Sequence, residues 1–385
     1  MLTPRSTIAR RILTALDASP SRIPVLLGGC GSGRTTLLHH LRDRIGRTAA
    51  QSVAVDHAAT TPERFLRAVT AASPFASGEA PAAGTRAAFD ATLAFFNRAR
   101  ASGGGPATFL LDEFLELRTF ESFPGLRRVL HELVENLARS SNRFVLTSRY
   151  AARTLRLLRD RSARFEVIHL PSLTTEDTLD ILRRTDGRPA SDAGEAELTA
   201  RTVQALSDGR PAYAQAIADE LAIMRDRGGP GDAVSALAAL LSPSGALSRL
   251  CGFSYELRLH RARGYGALKG ILSILGEAEG LTLTEIAQRL QRTPGSTKDY
   301  LSWLEDVDLV SARQKRYSYT DPLLRVWVRL HCRAVAATDD EVGREVHRYA
   351  LPRLPQLSEP ALAMAGARPA PADDERREWG IIEID

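Results

Sequence analysis

The chain has 385 residues, too many for one ordinary core, so two or three domains are expected. Its 44% hydrophobic and 25% charged residues are those of a globular protein, and no apolar run approaches the ~18 residues of a membrane span, so no membrane partner is expected. The formal charge of +5 sets 51 basic against 46 acidic residues, which permits weak attraction to anions but does not define a nucleic-acid protein.

Residues 1–19 carry arginines but no continuous apolar stretch, so they do not read as a secretory signal. Ile8, Ile12, Leu13 and Leu16 have helical spacing and predict an amphipathic first helix. Residues 23–27, 52–55, 108–111, 144–146 and 165–170 read as buried strands. Between them, 35–45, 62–72, 85–100, 124–140 and 151–159 read as helices, and 73–84 and 101–106 as exposed loops. Such alternation predicts an α/β fold with a parallel sheet covered on both faces.

After Pro171 the strands stop, and 174–184, 193–207, 211–227 and 233–241 have helical periodicity. Residues 267–275, 284–290 and 296–305 then predict three helices, followed by an extended run over 309–319; three helices and a hairpin are the parts of a winged helix. A further helix is expected over 323–335, and the Pro-, Ala- and charge-rich tail after Leu351 is expected to be mobile, except at the apolar 379–382. The resulting domains are 1–172, 173–262, 263–335 and an extension, 336–385. Cys30, Cys251 and Cys332 are scattered without metal-ligand spacing, so neither disulfide nor zinc is expected and a cytoplasmic setting fits.

Gly28-Gly29-Cys30-Gly31-Ser32-Gly33-Arg34-Thr35-Thr36 follows the first strand and opens a helix. Glycines let successive amides point into one nest, and the new helix adds unsatisfied N–H groups and its dipole, which together bind phosphate. The spacing Gly28-x4-Gly33-basic-Thr35 is that of a P-loop for ATP, with the Thr35 hydroxyl placed for Mg²⁺ and Thr36 toward the α-phosphate. Arg34 takes the place of the lysine. A guanidinium is planar and forked where an ammonium is a slim point charge, so binding is expected to survive better than fast turnover. Only Lys269, Lys298 and Lys315 among the basic residues are lysine, so the substitution fits a chain biased towards arginine.

Phe109-Leu110-Leu111-Asp112-Glu113 is an apolar strand ending in two acids, where Asp112 would hold the metal and Glu113 polarise water. Phe144-Val145-Leu146-Thr147-Ser148-Arg149 would bring Thr147 or Ser148 near a γ-phosphate; Arg149 would contact that phosphate in its own or a neighbouring subunit, or lie solvated. Arg153, Arg156, Arg159, Arg161 and Arg164 read as a solvated helical face available to another subunit.

Together these motifs, the sequence Ser207-Asp208-Gly209-Arg210-Pro211 and the winged-helix pattern resemble STAND-class P-loop ATPases close to archaeal-type AAA ATPases, and more distantly Orc/Cdc6-type AAA+ initiators, over roughly residues 2–335. Tyr319-Thr320-Asp321-Pro322, with Arg325 and Trp327, resembles the end of the archaeal-type winged helix. The resemblance implies a three-layer sandwich with strand order 5-1-4-3-2, a helical lid whose Gly209 and Pro211 abut adenine, and a nucleotide switch in which ATP replaces ADP and permits opening or homo-oligomer assembly. Ser296, Thr297, Lys298 and Asp299 on the recognition helix, with Arg313, Lys315, Arg316 and Tyr317 on the wing, are compatible with DNA contacts; the resemblance equally implies an intramolecular latch or protein partner.

Overall fold

The structure, a computed structural model, describes residues 3–75, 83–186, 193–228, 231–260 and 264–355. It opens with α1 (Thr3–Asp17), β1 (Ile23–Leu27), α2 (Arg34–Ile45), β2 (Ala50–Ala54), α3 (Val55–Ala58), α4 (Pro62–Ala71) and α5 (Thr85–Arg98). Then come β3 (Thr108–Asp112), a 3-10 helix (Phe114–Ser122), α6 (Val129–Arg139), β4 (Arg143–Ser148), α7 (Ala151–Leu158) and β5 (Phe165–His169). The five strands pair in parallel in the order β2-β3-β4-β1-β5, which is the expected 5-1-4-3-2 read from the other edge. Parallel strands need crossover helices, and those helices cover both faces, as the near-continuous apolar strands require.

On one face, Ile8, Ile12 and Leu16 of α1 pack with Leu37, Leu38 and Leu41 of α2 against Leu26, Leu110, Val145 and Ile168 of the sheet. The other face is aromatic. Phe109 and Phe144 stack across β3 and β4, and Phe95 and Phe96 meet Phe109 edge-on. Strand ends from β1, β3 and β4 therefore converge on one rim.

The second half is helical: α8 (Thr175–Asp186), α9 (Ala193–Leu206), α10 (Pro211–Asp226), α11 (Ala233–Leu241) and α12 (Ala246–Leu259). Then follow α13 (Tyr265–Glu277), β6 (Leu281–Thr282), α14 (Leu283–Leu290), α15 (Pro294–Asp306), β7 (Val310–Arg313), β8 (Arg316–Tyr319), α16 (Pro322–His331) and α17 (Asp339–Ala350). The block α13 to β8 has the winged-helix arrangement, its wing closed by Gln314 and Lys315, both with φ above +50°, as a two-residue hairpin turn demands.

Several elements depart from the expectation. The helix expected over 124–140 begins only at Val129, because Glu113 (φ 56°) and Gly125 (φ 78°) turn the chain and a 3-10 helix takes up 114–122. Helix α12 lay in a stretch without an assigned element, although Leu247, Cys251, Tyr255 and Leu259 recur every fourth residue and are all buried. Residues 339–350, given no element within the extension, form α17: Thr338 and Glu341 make a capping box, and Val342, Val346 and Tyr349 enter the core shared by α8 to α11 and α16. Of the tail expected to be mobile, residues 356–385 with the apolar 379–382, and residues 76–82 of the predicted loop, lie outside the described residues. Val346 is fully buried, so Val346→Ala should cost about 2 kcal/mol, read as a lower urea midpoint at unchanged slope; an unmoved midpoint would place α17 outside the cooperative unit.

Candidate nucleotide site

The loop 28–33 leaves β1 and enters α2 at the rim of the sheet, with Gly31 (φ 75°) and Gly33 (φ 81°) in the left-handed region that non-glycine residues resist. Among the described residues the amides of Gly29, Cys30, Gly31 and Gly33 donate to no protein acceptor, and the first amides of α2 lack intrahelical partners by construction. This is an anion nest at a helix N-terminus.

Thr35 Oγ1 donates to Asp112 Oδ2 at 2.6 Å, so the hydroxyl and carboxylate assigned to the metal meet directly. Among the described residues no group of three or more His, Cys, Asp or Glu is arranged to hold a metal. One hydroxyl and one carboxylate beside a phosphate nest are the donor set that suits Mg²⁺, which takes few protein ligands and completes its shell with water and phosphate oxygens.

Arg34 does not extend across the nest. It folds beneath it, where Nη1 donates to the Gly28 carbonyl, to the Gly29 carbonyl at 2.6 Å and to Ser32 Oγ at 3.0 Å. Its Nη2 donates to Glu113 Oε1 at 2.6 Å. Arg149 Nε lies 3.0 Å from the same oxygen, and the Arg149 amide donates to Glu113 Oε2 at 3.1 Å. Burial by itself would raise the Glu113 carboxyl, but the charges of Arg34 and Arg149 override it and hold the group below the usual carboxylate range.

Two expectations for β4 change accordingly. Thr147 is fully buried; it accepts from the Glu113 amide at 3.0 Å and donates to Asp112 Oδ1, so it orients both acids and does not face the nest. Arg149 is not solvated, because Glu113 at 3.0 Å and Asp56 at 3.4 Å hold its side chain. Ser148 Oγ accepts from the Tyr150 amide and serves the turn into α7.

Beside the nest lies a cavity of about 520 Å³, with Thr36, His40, Ile181, Arg184, Pro211 and Gln215 in its wall. Arg5 borders it as well; Arg5 Nη2 donates to the Ser32 carbonyl at 2.7 Å, while its buried Nη1 has no partner. Arg5 was not singled out in the sequence, where one arginine among many on an amphipathic helix gives no signal. Pro211 lines this cavity, and Gly209 lines a smaller one against the loop, with Gly28, Gly29, Ser32 and Arg210. Gly209 (φ 63°) is pressed against Ser172 and Leu173, where a Cβ would come within 2.6 Å of the Ser172 Cβ, so its requirement is steric.

The start of α10 is hydrogen-bonded directly to the loop. The Ala212 amide donates to the Gly31 carbonyl at 3.1 Å, and Arg210 Nη1 donates to the Cys30 carbonyl at 3.0 Å. The same guanidinium reaches the Thr320 carbonyl at 3.0 Å and Asp321 Oδ2 at 2.9 Å. Asp321 also accepts from the Tyr213 hydroxyl at 2.7 Å and from the Leu323 and Leu324 amides at the start of α16. Arg210 thus joins loop, lid and winged helix. Its position between Gly209 and Pro211 was a signal that sequence reasoning passed over.

A second joint ties the winged helix to the sheet. Asp308 caps α7 by accepting from the Ala151 amide, and Arg156 pairs with Asp306 at the end of α15. The arginine set is only in part a solvated face: Arg156, though paired, and Arg159 are exposed, whereas Arg161 meets Glu135 at 2.9 Å and Arg164 donates to the carbonyls of Ser21, Ala138 and Ser140. On the recognition helix Thr297 is fully buried and unavailable to DNA, whereas Lys298 and Asp299 are exposed. Burial pushes the Asp308 carboxyl up to about 6, against the amide hydrogen bonds and the nearby Arg258 and Arg153. A folded value above the unfolded 3.8 means that this stabilisation is full below about 4 and lost as pH rises through 6. The stability advantage of Asp308→Asn over wild type, read by urea unfolding, should therefore grow from pH 5 to pH 8, towards about 3 kcal/mol; a constant difference would contradict it.

No protein-family model and no curated protein matches this sequence. Among solved structures the chain is similar to a Walker-type ATPase of Pyrococcus abyssi, at 16% identity and TM-score 0.62, over 84% of this chain and 95% of that one. It is also similar to the Aeropyrum pernix Orc1 protein in complex with DNA, at 16% identity and TM-score 0.47, over 90% and 93% of the two chains. A STAND protein of Pyrococcus horikoshii with a tetratricopeptide repeat sensor matches 89% of this chain but 44% of its own length, at 15% identity and TM-score 0.32. The chain thus shares the fold of that Walker-type ATPase, a P-loop α/β sheet with all strands parallel, followed by a helical block and a winged-helix arrangement.

Proposed function

We infer that the chain binds ATP with Mg²⁺ and works as a switch ATPase, in which the lid and winged helix respond to the state of the nucleotide. The observation that carries this reading is the 2.6 Å contact of Thr35 with Asp112 at the mouth of an open amide nest. Gly29 to Thr36 would hold the phosphates and Thr35 with Asp112 the metal, while the cavity beside Pro211 has the size for a nucleoside and the unpartnered Arg5 Nη1 supplies a donor at its edge. Bound Mg²⁺ would neutralise phosphate charge. Glu113 is the carboxylate placed to polarise a water for hydrolysis of ATP to ADP and phosphate, and Thr147 keeps it and Asp112 in register. Arg210 connects the Cys30 carbonyl to Thr320 and Asp321, which supports a path from the loop to the winged helix.

Calorimetric titration with ATP and ADP, with and without Mg²⁺, tests the reading. One site per chain is expected, and Thr35→Ala should weaken Mg²⁺–ATP at least about tenfold while changing metal-free binding little. No heat with either nucleotide would end the proposal. Mass in solution with and without ATP tests the homo-oligomer.

A second reading is a nucleotide-gated DNA-binding regulator. It is favoured by the exposed Lys298, Arg313, Lys315 and Arg316 on one module. Affinity for random duplex that falls steeply with salt would support it. Binding that is absent at low salt leaves α15 and the wing to the intramolecular joint or a protein partner.

A further inference from the structure

Arg34 and Glu113 are each buried, and each is the other's nearest opposite charge, at 2.6 Å. Glu113 is paired from within the protein: Oε1 accepts from Arg34 and lies 3.0 Å from Arg149 Nε, and Oε2 accepts the Arg149 amide. A carboxylate whose charge is already met by two guanidiniums polarises a water only weakly until one of them is withdrawn. One cation must leave. Arg149 is fixed at its amide end by Glu113 and at its Nη2 end by Asp56, whereas Arg34 stands at the loop position that faces the outer phosphates.

We propose that Arg34 is an exchange partner: it holds Glu113 in the nucleotide-free chain and is surrendered to a terminal γ-phosphate, which frees Glu113 only when a triphosphate is bound. This rests on the reading of the site as an ATP site and adds its regulation. The fork of an arginine makes the arrangement possible. Nη1 occupies the Gly28 and Gly29 carbonyls while Nη2 serves Glu113, so one side chain links the loop to the acid through separate nitrogens, which a single ammonium does not. A diphosphate ends short of the exchange and leaves Glu113 held. The chain thereby discriminates ATP from ADP at the acid itself, without a residue from a second subunit.

The test is calorimetry on the full chain with Mg²⁺ and either a non-hydrolysable imido analogue of ATP or ADP, in wild type and Glu113→Gln. Loss of the competing charge should tighten the analogue about tenfold in Glu113→Gln and leave ADP within about twofold. Equal changes for the two nucleotides, or none, overturn the exchange. Absence of binding by wild type overturns the ATP reading itself, so the two failures are distinct. Infrared difference spectra of the wild-type chain provide a second measurement that needs no variant. Beyond the shift that Mg²⁺ at Asp112 gives with either nucleotide, a further carboxylate band should shift with the analogue alone; carboxylate changes that are alike for the two nucleotides also overturn the proposal.

Discussion

Glu113→Gln should still bind Mg²⁺–ATP, about tenfold more tightly, and lower ATP turnover by about 10²–10⁴-fold, the range a positioned base contributes. The amide is isosteric with the carboxylate and keeps its oxygen toward the Arg149 amide, so the turn at Glu113 persists. What it loses is the negative charge that would draw a proton from water. Phosphate release in the steady state, measured beside calorimetric affinity, separates the two effects. Turnover within a few-fold of wild type would remove Glu113 from the reaction. Arg34→Lys is the companion experiment: an ammonium should restore the slim charge at the outer phosphates and raise turnover or leave it unchanged.

Arg210→Ala should destabilise the chain by about 3–5 kcal/mol, because it strips the guanidinium from an almost fully buried carboxylate. Asp321 would retain the Tyr213 hydroxyl and two amides, which do not offset an unpaired buried charge. The Cys30 and Thr320 carbonyls would lose their donor in the same step. Urea unfolding reads the loss. Arg210→Met combined with Asp321→Asn should recover a good part of it, since the orphaned charge is then gone. If the double variant is no more stable than Arg210→Ala, the cost lies in packing and not in the ion pair. Because Arg210 touches the loop, the lid and the segment leading into α16, its loss should also speed proteolysis between the lid and the winged helix.

The two predictions bear on one arrangement. Beneath the loop, Arg34 ties the nest to Glu113; above it, Arg210 ties the same nest to Asp321. A ligand entering between them meets a loop whose carbonyls at Gly28, Gly29 and Cys30 are all held by arginine forks. An arginine-biased chain thus carries out with guanidinium forks what a single ammonium would not span.

The sequence by itself determined the phosphate loop, the two acids at the end of β3 and the alternation that makes a parallel sheet, since each depends on neighbours a few residues away: glycine φ, helix-start amides and the period of apolar residues. The strand order came from the family resemblance, not from periodicity. Helix α12 was legible in its four-residue repeat, whereas the 3-10 helix after Glu113 was not, because a left-handed residue at a strand end has no local signature. Only the tertiary structure decided which charge meets which. Arg34 and Glu113 are 79 positions apart, Arg210 and Asp321 are 111, and Asp308 caps a helix 157 positions before it. Forty-odd acids and some fifty bases admit many pairings of similar Coulomb energy in water; burial alone, by removing the solvent that makes them equivalent, selects the few that remain.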